Sequence, residues 1–296
     1  MKRNTNKRQS HKEVLRFCGF ALPSTFIWTT VVLIPFIYGI IITFTDWNGL
    51  AQNLHFVGLE NYRAVLSDAS FQDSFFKTVK YVFFTVIGSN LVGLLLALAL
   101  TDGIKWQKIF RTGFFTPNVI GGIILGYIWN FIFSYALTGL GKQFGIFWLS
   151  KSWLTSPNTA LAALIIVSIW QLSGYLMVIY IAGLTNVPSE LIEAAKIDGA
   201  NDQQVIRNVK IPLIRNSVTI CIFLAIARTF MSFDINLSLT SGGPYKSTEL
   251  IAYKIYQTAF GSMKFGAGQA EAVVLFLIVA TVSLLQVYFT RRGGEH

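Results

Sequence analysis

The chain has 296 residues, 53% of them hydrophobic and only 13% charged, with a mean hydropathy of +0.54. A soluble domain carries about 25% charged residues, so this composition argues against a soluble enzyme and excludes a disordered chain. The net charge of +10 would suit nucleic acid or an asymmetry across a membrane, and the position of each charge decides between them.

Residues 1–16 form a basic N-terminus. Beyond it lie stretches free of Asp, Glu, Lys and Arg that reach the roughly 20 residues a helix needs to cross a bilayer. Phe17–Thr45 is the first; it is too long for a signal-peptide core and has no clear small-residue cleavage site. Tyr81–Thr101 is the second. Thr112–Gly141 holds the third, centred on Phe114–Phe133, and Ser152–Ser189 the fourth, centred on Leu161–Gly183. Asn216–Leu239, interrupted by Arg228 and Asp234, is the fifth, and Ala272–Thr290 the sixth. The expectation is an all-α integral membrane protein with six transmembrane helices over 17–290 and a short tail, 291–296.

Six spans put both termini on one side. The stretches 1–16, 102–111, 190–215 and 291–296 hold 15 Lys and Arg in 58 residues, whereas 45–80, 134–159 and 234–271 hold 8 in 100. The positive-inside rule therefore places both termini in the cytoplasm. The first set has 7 acidic residues and nets +8, the second also has 7 and nets +1, and Arg228 is the remaining charge. The basicity is topological, which removes nucleic acid as a partner. Trp47, Trp106, Trp148 and Trp153 fall near span ends, as an interfacial belt would have them. Cys18 and Cys221 lie in apolar segments and read as small buried hydrophobes. His11, His55 and His296 are far apart, and no Cys/His cluster has metal-ligand spacing. No strong internal repeat is visible.

One connection between spans is long: Thr185–Ile214. It reads as two short helices. Pro188 suits a first helical turn, and Glu190 favours the positive helix end. Leu191, Ala194, Ala195 and Asp198 follow at i, i+3, i+4 and i+7 on one face. Gly199 permits a turn, and Asn201 with Gln204 resembles a capping box. Val205, Ile206 and Val209 give the second helix an apolar side, and Ile211–Pro212 is expected to end it. Physically this segment is either a docking element or an amphipathic loop on the membrane surface.

Glu193-Ala194-Ala195, Asp198-Gly199-Ala200 and Ile211-Pro212-Leu213 resemble the EAA loop of permease subunits in binding-protein-dependent ABC importers; Ile211 departs mildly from the family's Leu-Pro. The resemblance implies a MetI-like permease fold in the bacterial plasma membrane. It implies that the loop, 186–212, docks into a cleft on a cytoplasmic ATPase through Glu193, Ala194, Ala195, Asp198, Gly199 and Ala200, with Glu193 as an ionic contact. ATP and Mg would be bound by two partner ATPase subunits. Gly139–Lys142 lacks the spacing of a P-loop, so the chain is expected to hold no cofactor and to be no enzyme.

Further segments are similar to the maltose/glycerol-phosphate type of sugar permease: Asp46-Trp47, Phe56–Tyr62, Ser232-Phe233-Asp234, Leu239–Pro244, Ser247-Thr248-Glu249, Tyr256-Gln257 and Phe265-Gly266. This implies pairing with a second, homologous permease and delivery of substrate by an extracellular solute-binding protein.

Polar side chains inside a membrane usually face a cavity or a partner helix. In span four Ser168, Gln171 and Tyr175 share one helical face, with Trp170 and Ser173 off it. Such a face suits a sugar, or serves hydrogen bonds between helices. In span five stand Arg228, Thr229 and Ser232, with Arg228 roughly half-way along. A cation at that depth costs about 2.5–3.5 kcal/mol, which favours a water-filled cavity, an acidic partner or an anionic ligand. In the resembling family the spans flanking the EAA loop contact substrate, which places these six residues on the path. Arg228 would bind glycan hydroxyls, a carboxylate or a phosphate, or would pair with the partner permease. The reading is a transmembrane subunit of an ATP-driven sugar importer working by alternating access. The alternatives are the same architecture importing glycerol phosphate, a polyol, an acidic sugar or an amino acid, an integral membrane enzyme, or a scaffold.

Overall fold

A computed structural model describes residues 17–50, 54–101 and 105–292. The basic segment 1–16 and residues 293–296 lie outside the described residues. Among the described residues all regular elements are helical, and one isolated antiparallel bridge joins Thr45 to Phe56. The chain divides into two compact units: residues up to Leu66 with Thr258–Val273, and Ser67–Gln257 with the remainder from Val274.

The first unit is built on α1 (Phe17–Ile42) and α2 (Glu60–Ser67). Asn61 ties them by donating from Nδ2 to the carbonyls of Thr43 and Thr45, each at 2.8 Å. The Tyr62 hydroxyl donates to Thr43 Oγ1 at 2.9 Å, and the Phe44 ring lies between Phe56 and Tyr62. Trp47 packs on Phe265.

The second unit contains α3 (Ala69–Ala99), α4 (Gln107–Val119), α5 (Gly122–Gln143), α6 (Pro157–Thr185), α7 (Ser189–Ile197), α8 (Asp202–Leu213), α9 (Arg215–Phe230), α10 (Asp234–Leu239) and α11 (Ile251–Tyr256). The final helix, α12 (Phe265–Arg292), begins in the first unit and ends in the second. The core of the second unit runs along α3, α6 and α9. Leu176, Met177, Cys221 and Ala225 are wholly buried in it, and Tyr180 donates to Asn90 Oδ1 at 2.7 Å. Without a hydrophobic force between lipid-bathed helices, small residues and polar contacts drive such packing. Gly174 is the clearest case: a Cβ there would strike the Phe114 carbonyl, so only glycine lets α4 rest on α6.

Five helices are long and apolar enough to cross a membrane, and α8 with α9 makes a sixth if that pair, bent by 71°, counts as one span. The six expected spans are recognisable, but four differ clearly in their boundaries: the second starts twelve residues before Tyr81, at Ala69, and takes in Asp73, Lys77 and Lys80, and the third, fifth and sixth differ as follows. The third does not start near Phe114. Pro117 lies inside α4, Ile120 and Gly121 are extended (ψ 129° and 137°), and the long helix restarts at Gly122. Proline withholds a donor and glycine weakens a helix, so the apolar run breaks in two. The fifth is broken as well: α9 ends at Phe230, and α10 starts at Asp234, whose charge suits a first turn. Arg228 therefore stands in the last turn of α9 rather than half-way along a span. The sixth begins seven residues early, at Phe265. It carries Glu271 inside the helix, where Oε1 accepts a hydrogen bond from Thr258 at 3.0 Å. Cys221 is buried as expected, whereas Cys18 is only half-buried.

Candidate functional site

The two helix breaks face each other across one cavity of about 420 Å³ in the second unit. Four segments line it: α3, the α4–α5 break, α6, and the end of α9 with the start of α10. Of the six residues expected on the path, Ser168, Gln171, Arg228, Thr229 and Ser232 line this cavity. Tyr175 lies behind Arg228, its ring centroid 4.3 Å from the guanidinium carbon. Trp170 points elsewhere and packs edge-on against Trp129.

Their roles differ. The Tyr81 hydroxyl donates to Ser168 Oγ at 2.6 Å and is in hydrogen-bond contact with Ser232 Oγ at 3.1 Å, so one phenol ties α3 to α6 and to the end of α9. Ser168 also donates to the Leu164 carbonyl. Thr229 is buried and donates back to the Ala225 carbonyl at 2.6 Å, which uses its only hydrogen on its own helix. Gln171 reaches the Ile120 carbonyl in the α4–α5 break at 3.5 Å. Arg228 remains exposed to the cavity, donating from Nη1 to Asn118 Oδ1 at 2.8 Å. The Tyr175 face and the Asn118 oxygen hold the guanidinium flat without neutralising it, since a cation–π contact and an amide carry no opposite charge.

Sequence reasoning missed Tyr81, Thr85, Asn118 and Asp234. Tyr81 and Thr85 are four residues apart on one face of α3, which was a legible signal. Asn118 and Asp234 had none, because each reaches the cavity only through a helix break.

The second feature is the hairpin of α7 and α8. α7 starts at Ser189, with Pro188 as its non-helical cap (ψ 130°) rather than within the first turn. Gly199 takes the left-handed conformation at φ +87°, and the Ala200 N–H donates to the Ala195 carbonyl at 2.9 Å, a glycine C-cap. The capping box between Asn201 and Gln204 is formed in both directions, at 2.8 and 2.9 Å. Lys196 pairs with Asp202 across the turn at 3.5 Å. Glu193, Ala194, Asp198 and Gly199 are exposed, Ala195 and Ala200 half-buried, and Ile197 is 86% exposed. Ile211–Pro212 does not end the second helix. A wide π-turn over Ile206–Lys210 precedes it, so Pro212 sits in a fresh first turn where no donor is needed, and the helix runs to Leu213. Among the described residues, no group of three or more His, Cys, Asp or Glu side chains is placed to hold a metal.

Residues 89–293, which include the hairpin and most of the cavity, match the family described as binding-protein-dependent transport system inner membrane component. The chain is 46% identical over 286 residues to the probable starch degradation products transport system permease protein AmyD of Thermoanaerobacterium thermosulfurigenes, covering 97% of each. It is 34% identical to the multiple sugar-binding transport system permease protein MsmF of Streptococcus mutans serotype c, covering 87% of this chain and 89% of that one. Among solved structures, it matches a chain of a bacterial ABC transporter involved in the import of the acidic polysaccharide alginate. There the TM-score is 0.83 at 16% identity, covering 97% of this chain and 99% of the other. That likeness is one of fold.

Proposed function

The chain belongs to the binding-protein-dependent transport system inner membrane components, and from that premise we propose that it is one transmembrane subunit of an ATP-driven importer for a sugar or oligosaccharide. The observation that carries the substrate reading is the cavity. Phenol, amide, hydroxyl and guanidinium groups converge there among apolar helices, where an uncompensated polar group is costly and a hydroxyl-rich ligand would satisfy it. The relatives whose printed names refer to starch products and multiple sugars support the same class.

In this reading the α7–α8 hairpin lies on the cytoplasmic side and docks on a partner ATPase through Glu193, Ala194, Ala195, Asp198, Gly199 and Ala200. The partner subunits bind ATP and Mg, and a second permease completes the path. An extracellular binding protein delivers the substrate. Nucleotide-driven closure of the ATPases would move the hairpin, and through the bend at Ile214 it would move α9 and its cavity residues.

A second reading, import of an acidic sugar or a glycerol phosphate, is favoured by one observation, the exposed guanidinium of Arg228.

The test is uptake of labelled maltotriose into proteoliposomes containing the chain with its partner permease, ATPases and binding protein. ATP-dependent accumulation is expected. Vigorous ATP hydrolysis with no accumulation of maltotriose, or of any other sugar in a panel, would overturn the sugar reading.

A further inference from the structure

The cavity's charge is balanced by a residue outside the sugar-path set. Of the 17 residues that line it, one is a cation, Arg228, and one an anion, Asp234. Both are exposed to it, and among the described residues no ion pair joins them and no hydrogen bond engages the Asp234 carboxylate. Asp234 opens α10, and its side chain lies against Gly122 at the start of α5: a Cβ on Gly122 would come 3.4 Å from Oδ2 and 2.7 Å from the Asp234 Cβ. The carboxylate thus stands beside the first residues of two helices, α5 and α10.

We propose that Asp234 is a specificity-determining residue that makes the cavity select neutral, hydroxyl-rich rings and reject anionic ones; this rests on the sugar-import reading. Arg228 offers only donors and the Asp234 carboxylate offers acceptors. Each hydroxyl of a sugar ring is both donor and acceptor, so a neutral sugar in the cavity offers partners of the right kind to both groups. A uronate or phosphate satisfies Arg228 but meets Asp234 as a like charge, and like charges a few ångströms apart repel. The exposed arginine therefore does not imply an anionic substrate.

The experiment uses the assembled transporter in nanodiscs without binding protein, so that the cavity alone selects. Binding of maltotriose is compared with that of a trigalacturonate, by calorimetry. Wild type is expected to favour maltotriose by tenfold or more. Asp234→Asn is expected to bring the two ligands within about threefold by raising trigalacturonate affinity, and Asp234→Glu to keep the wild-type preference. A wild-type preference for the uronate, or an Asp234→Asn preference equal to wild type, would overturn the assignment. If the variant fails to assemble, neutralising the same carboxylate with Asp234→Ser gives the same readout. Proteoliposomes that import maltotriose, with charge preference unmoved by any of these variants, would refute this role of Asp234 and leave the sugar reading standing. Binding of neither sugar to the nanodisc complex would refute the role as well, whereas the sugar reading is decided by the uptake panel alone.

Discussion

The cavity and the α7–α8 hairpin are built in opposite ways. The hairpin is assembled from fewer than thirty consecutive residues. Its turn is a glycine C-cap followed directly by a capping box, and the Lys196–Asp202 salt bridge spans six residues of sequence. The cavity draws on α3, the α4–α5 break, α6 and the α9–α10 break, and the Arg228–Asn118 hydrogen bond joins residues 110 apart in sequence. Local hydrogen bonds make the hairpin a self-contained handle. The cavity exists only when long helices approach closely enough to hold two breaks opposite one another. Damage to the first should therefore uncouple a folded protein, and damage to the helix contacts around the second should unfold it or close it.

The largest effect is expected where α4 rests on α6. Gly174→Val places side-chain atoms where the Phe114 carbonyl lies; overpacking of this kind costs about 1–3 kcal/mol and occasionally more. A sharp fall in thermal unfolding midpoint and loss of assembled complex on size exclusion are expected. Unchanged melting would mean the α4–α6 contact is not what holds the cavity open.

Next comes Arg228→Gln. Hydrogen bonds from charged groups contribute about 1.5–3 kcal/mol, so transport is expected to fall roughly 10- to 100-fold with assembly intact. Uptake and assembly both unchanged would remove Arg228 from the substrate path and from any intersubunit ion pair.

Gly199→Val tests the hairpin. A β-branched residue at φ +87° costs roughly 1–2 kcal/mol. Because the turn is exposed, that strain is released by opening it locally; the prediction is a chain that folds with only a small fall in melting temperature but whose substrate-stimulated ATP hydrolysis is lost, and Glu193→Ala should weaken the same stimulation less. A fall in melting temperature comparable to that of Gly174→Val would contradict the separation between the two regions.

The smallest effect is expected for Tyr81→Phe, which removes the hydroxyl shared by Ser168 and Ser232. Losing a hydrogen bond of about 1 kcal/mol should slow uptake by roughly fivefold without changing which sugar is preferred. A changed preference would show that Tyr81 contacts substrate rather than positioning α3, α6 and the end of α9.

The contrast also explains what could be read in advance. Apolar runs identify the crossing helices because a bilayer demands about 20 apolar residues whatever their neighbours are. The row Ser168–Gln171–Tyr175 was visible because helical spacing alone puts it on one face, and Arg228, Thr229 and Ser232 stood out as polar residues in an apolar run. The turn at Gly199 and the box at Asn201–Gln204 followed from the local chemistry of caps. Hydropathy, in contrast, passed straight through the two breaks. Ile120–Gly121 and Met231–Phe233 carry no charge to mark a boundary, and the chain bends there because Pro117, Gly121 and Gly122 weaken one helix while Asp234 opens a new one. Pro212 misled in the other direction: a preceding π-turn absorbed a residue that ordinarily stops a helix.

The amino-acid sequence by itself determined that this is a helical membrane chain with a helical hairpin at 189–213 and a polar face on α6, because periodicity, caps and span length act within a few turns. Only the tertiary structure decided that Arg228 stands at a helix end, held by Tyr175 and Asn118, and that Asp234 shares its cavity. Those neighbours come from helices some 50 to 110 residues away in sequence or from beyond a helix break. Their meeting depends on how closely backbones approach at positions such as Gly174, which no local pattern records.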